Sequence, residues 1–85
     1  MKKQLVLIKD CIVHFGVITM PEDVWVDFDT AKLCINDTND PYLIIPNGKT
    51  STKQVWLNSR HRNIKSLEEL RIKLDMEGAE RKCLE

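Results

Sequence analysis

Ser66-Leu67-Glu68-Glu69 is the stretch that most constrains what this chain can fold into. A serine that accepts a hydrogen bond from the backbone three residues on, with a glutamate there able to reach back, is a capping box. The two carboxylates also suit the positive end of a helix dipole. Leu67, Leu70 and Leu74 then recur at i, i+3 and i+7, one stripe of a helix. The apolar segments before Ser66 are of strand length, so the spacing predicts an α+β chain. The expected fold is a small, mostly antiparallel sheet of about five strands with one C-terminal helix packed across it. An SH3-like or OB-like barrel closed by the helix is the nearest rival. Eighty-five residues suit a single domain, with the sheet over about 4–58 and the helix over about 67–82.

Gln4–Lys9 and Cys11–Thr19 are rich in Val, Ile, Leu and Phe and read as two strands, or one long bent strand. Both alternating faces of the second are largely apolar, the pattern of a central strand. Met20-Pro21-Glu22-Asp23 reads as a breaker, and Val24–Phe28 as a strand in a hairpin with Lys32–Ile35. Asn36–Pro41 is a turn by composition, because Asn and Asp side chains bond to nearby backbone. Asn47-Gly48 allows a two-residue hairpin, but that register sets Ile45 against Thr50 and Leu43 against Thr52. Pairing Tyr42–Ile45 with Val55–Leu57 matches apolar to apolar and leaves Pro46 to about Lys53 as a protruding basic loop.

Thirteen basic and thirteen acidic side chains cancel, so no whole-molecule field draws in nucleic acid or an anionic membrane. The charges are nonetheless segregated. Residues 22–40 hold six carboxylates against Lys32, whereas residues 47–65 hold Lys49, Lys53, Arg60, Arg62 and Lys65 with no carboxylate between them. Either the two segments lie side by side and neutralise each other, or they form separate patches. Cys11, Cys34 and Cys83 are odd in number and widely spaced, which suits a reducing, cytoplasmic setting better than a disulfide framework. The apolar run Leu5–Ile8 is too short for a signal or a membrane span, and no membrane partner is expected. Leu84-Glu85 resembles the dipeptide a vector leaves before a tag and is given no weight.

Familiar chemical motifs are incomplete. Gly48-Lys49-Thr50 lacks the earlier glycine of a phosphate-binding loop, with Leu43 in its place. Asp27-Phe28-Asp29-Thr30 has its threonine one place early for a phosphotransferase nucleophile motif, and Asn36–Asp40 lacks the glycine and distal glutamate of a calcium loop. Cys11 and His14, three apart on a strand, point to opposite faces, so no metal or other cofactor is expected. No base can be set beside a nucleophile, and an enzyme is not expected.

Two functions fit what remains. A second helical stripe, Ile72, Met76, Ala79 and Cys83, lies opposite the leucines if the helix runs past Gly78. Together with Arg60 and Arg62 it would make a small accessory or regulatory protein that binds another protein or a second copy of itself. The alternative is nucleic-acid binding, with Lys49, Lys53, Arg60, Arg62 and Lys65 on phosphates and Trp56 as a stacking platform.

Overall fold

The computed structural model describes residues 3–84. It is organised on one long strand, β1 (Lys3–Phe15), bent in the middle. Val6 and Ile8 are buried before the bend, and Cys11 and Val13 after it, so the inward face changes from even to odd positions. An extra residue makes this possible: Ile8 pairs with Val24 and Cys11 with Glu22, three steps on β1 against two on its partner. Asp10 takes a positive φ of 60° at this bulge, and its N–H donates to Asp23 Oδ1 at 3.0 Å. Without the bulge, half of the strand would turn its apolar residues outward.

β1 turns through Gly16-Val17 into β2 (Ile18–Val26), with Phe15 opposite Ile18. Gly16, at φ 61°, supplies the positive φ that such a two-residue turn demands. The strand expected over Cys11–Thr19 is therefore two arms of a hairpin. Nor is Met20–Asp23 a breaker, since Pro21 lies within β2 opposite Ile12. Among the described residues β2 is an edge strand with β1 as its one sheet neighbour, where a residue without an N–H is tolerated.

The expected hairpin between Val24–Phe28 and Lys32–Ile35 does not form. The Asp27 carbonyl accepts from the N–H groups of Thr30 and Ala31 at 3.2 and 3.1 Å, and this turn carries the chain to β3 (Lys32–Ile35), which pairs with β4 (Pro41–Asn47). Asn36 Oδ1 accepts from the N–H groups of Thr38 and Asp40 at 3.1 and 2.8 Å, making the expected turn between them. β4 pairs with β5 (Ser51–Trp56), with Tyr42 opposite Trp56 and Leu43 opposite Val55, the apolar match expected from the sequence. The ladder continues to Asn47 opposite Ser51, so only Gly48-Lys49-Thr50 forms the loop and the long basic protrusion is absent.

After a 3-10 turn at Ser59–His61 comes the helix, α1 (Leu67–Met76). Ser66 caps it by accepting from the Glu69 N–H at 3.1 Å. The far end is earlier than the 82 expected. Gly78 has φ 73°, the Ala79 N–H donates to the Leu74 carbonyl at 3.0 Å, and the Gly78 N–H to Asp75 at 3.2 Å, a Schellman motif that closes the helix. Arg81–Leu84 then form β6, antiparallel to the first residues of β1 with Lys3 opposite Leu84. Leu84 thus belongs to the sheet, while Glu85 lies outside the described residues.

Over the described residues the protein is an α+β fold with a six-stranded antiparallel sheet and one helix, in the order β2-β1-β5-β4-β3 with β6 also on β1. Among the described residues β2 and β3 are not paired, so the topology does not establish the barrel rival. Leu70 and Leu74 join Val6, Ile8, Cys11, Val13, Val26, Leu43 and Val55 in one core, each burial contributing about 2 kcal/mol.

Candidate interaction surface

The end of the helix at Gly78 dissolves the four-residue face expected on it. Ile72 and Met76 are exposed, at 50% and 83%. Ala79 instead turns onto the core, and Cys83 is an exposed residue of β6. Arg60 faces Asp10 at 3.5 Å, beside the bulge, and Arg62 meets Asp40 at 3.0 Å. The structure therefore distributes these six residues over a helix, a Schellman turn, a strand and the segment around the 3-10 turn.

The cationic set is likewise divided. Lys53 lies 4.0 Å from Glu22, so with the Arg62–Asp40 pair the acidic and basic segments adjoin and partly neutralise each other. Trp56 is three positions from Lys53 on the same strand and projects to the other face. Its ring stacks on Tyr42 at 4.4 Å, meets the edge of His14 at 6.0 Å, and is fixed by an Nε1–H bond to Gln54 at 3.2 Å. One face of the ring is thus occupied from within the sheet. Lys49 stands at the β4–β5 turn and Lys65 just before the helix cap, both exposed.

A different surface emerges at the tip of the β1–β2 hairpin. Phe15, Val17, Ile18 and Met20 are exposed at 43%, 101%, 56% and 48%. Register explains why they lie together: Phe15 is opposite Ile18 and Met20 opposite Val13, so Phe15, Ile18 and Met20 share the face on which Cys11 and Val13 enter the core. The core-facing side of the sheet runs on beyond the part that is covered. From Cys11 to Pro21 there is no Asp, Glu, Lys or Arg, the longest such run in the chain. That run was the available signal; an apolar strand on both faces reads as central unless Gly16 is recognised as its turn.

Other chemistry is sparse. Cys11 is buried, and desolvation, with Asp23, Asp10 and Glu22 adding, pushes its thiol up to about 12. His14 points the other way, its Nδ1 3.1 Å from Thr19 Oγ1. Among the described residues no group of three or more His, Cys, Asp or Glu side chains is placed to hold a metal ion. A cleft of about 410 Å³ is lined by Lys9, Arg60, His61, Glu77 and Glu80 among others, a mixture of signs that selects no class of ligand.

Family models, curated proteins and solved structures were each compared with this chain, and none matches it. Fold and surface together define a small antiparallel α+β fold with an uncharged, exposed apolar tip on its β1–β2 hairpin.

Proposed function

We propose that this is a small non-enzymatic accessory or regulatory protein that acts by binding protein, and that its contact surface is the tip of the β1–β2 hairpin. The observation that carries this is the exposure of Phe15, Val17, Ile18 and Met20 about one turn, in a stretch of chain that has no Asp, Glu, Lys or Arg. Contiguous exposed apolar surface is uncommon on a lone small domain and is typical of contact sites. Ile72 and Met76 add a smaller apolar area on the helix. Nucleic-acid binding has less support, because Lys53 and Trp56 face apart and Lys53 and Arg62 have acidic neighbours. Three free cysteines suit a reducing, cytoplasmic setting.

A photo-crosslinking residue at Val17, irradiated in cells that express the protein, tests this reading. The expected result is a discrete protein adduct that the same residue at Asp29, an exposed polar site, does not give. Equal or absent labelling at the two positions, with the fold intact by circular dichroism, overturns it.

A further inference from the structure

We infer that the partner seated on the hairpin tip is a second copy of this chain, in a two-fold dimer that buries Phe15, Val17, Ile18 and Met20 of each subunit. This rests on the protein-binding reading above and names its partner. A two-fold interface brings a patch against itself, so the patch has to be self-complementary. A patch of one sign fails that test because like charges meet across the axis. The stretch Cys11–Pro21 passes it, having no ionisable side chain other than His14, on the opposite face from Phe15, and Cys11, buried with its thiol protonated. On the strands bordering the patch, Lys53 and Glu22 lie 4.0 Å apart and present no net charge to a second copy. The whole chain is neutral, so no long-range repulsion opposes the encounter.

Pro21 restricts how the copies meet. β2 is an open edge, and an edge with a full set of donors invites strand-by-strand addition without end. The proline removes a donor in mid-strand, so the contact is made through side chains of the core-facing surface and closes at two subunits. A patch of four side chains per subunit belongs to the small class of interfaces, below roughly 1,200 Å² in total, and association is expected at micromolar concentrations.

Sedimentation velocity of the full chain from micromolar to submillimolar concentration tests the proposal, with Ile18→Lys, Val17→Lys and Met76→Lys alongside. Wild type and Met76→Lys are expected to shift from monomer to dimer at micromolar concentration, and the two hairpin variants only at about a hundredfold higher concentration, near the top of the range. Their dissociation constants should rise by about a hundredfold, because two-fold symmetry removes each contact twice and one buried aliphatic side chain is worth about tenfold. Val17 is fully exposed in the monomer, so Val17→Lys cannot act by unfolding the subunit and remains informative if Ile18→Lys fails to fold. A wild type that stays monomeric throughout, or hairpin variants that dimerise as it does, overturns the dimer. If that monomer still gives a Val17 adduct with another protein, protein binding stands and the second copy falls. If it gives no adduct but sediments with phosphatidylcholine–phosphatidylserine vesicles, both fall in favour of a membrane surface.

Discussion

His61 is the buried polar side chain of the core region, 2% exposed, and its Nδ1 has no hydrogen-bond partner among the described residues. Burial lowers its pKa from the ordinary 6.5, with Lys73 and Arg60 adding to the effect and Glu77 opposing it. The unfolded chain therefore takes up a proton at this position before the folded one does. Stability from the neutral imidazole is complete above about pH 6.5 and falls as pH drops through that value towards the folded pKa. Urea midpoints followed downward from neutral pH should show this loss in the wild type and a flatter profile in His61→Gln. Asp40 titrates in a separate, more acid window. Hydrogen bonds from Thr38 and Arg62 hold its carboxyl below the ordinary 3.8, so its contribution is present above that value and lost as pH falls through the folded pKa.

The helix shows how far local chemistry can be read. Its start was legible because the cap is a contract between Ser66 and Glu69, three residues apart, and needs nothing from the rest of the fold. Its end falls short of the expected 82 because Ile72, Met76, Ala79 and Cys83 keep a helical spacing across Gly78, which is itself the stop signal. β6 could not be read at all: Arg81-Lys82-Cys83-Leu84 has no strand pattern of its own and is extended because β1 offers it a ladder. The same holds for Pro21, a breaker by composition that an edge strand accommodates. Two substitutions separate the ends of the helix. Ser66→Ala should cost about 1 kcal/mol through the lost cap. Gly78→Ala should cost a similar amount, about 1–2 kcal/mol, because an alanine is strained at φ 73° although nothing crowds its Cβ. Both are measured as shifts in denaturant midpoint at unchanged slope.

At the scale of the molecule, the segregation of charge along the sequence turns into proximity in space. Two of the basic residues meet two of the acidic ones, Lys53 with Glu22 and Arg62 with Asp40, so at these four residues the segments lie side by side. Sequence shows that opposite charges occupy different segments, but only the strand register brings them together. Arg62 is well exposed, so Arg62→Ala should change the unfolding free energy by less than about 1 kcal/mol, and added salt should reduce even that difference. The candidate site was hidden for a related reason. An apolar residue looks like core until pairing shows that the sheet extends past its cover, as it does at Phe15, Ile18 and Met20. The pairing of Lys3 with Leu84 has a practical consequence of its own. Both ends of the described chain emerge side by side, a full strand length from the Gly16-Val17 turn. A bulky reporter attached at Lys3 would therefore sit at the far end of β1 and leave that tip unobstructed.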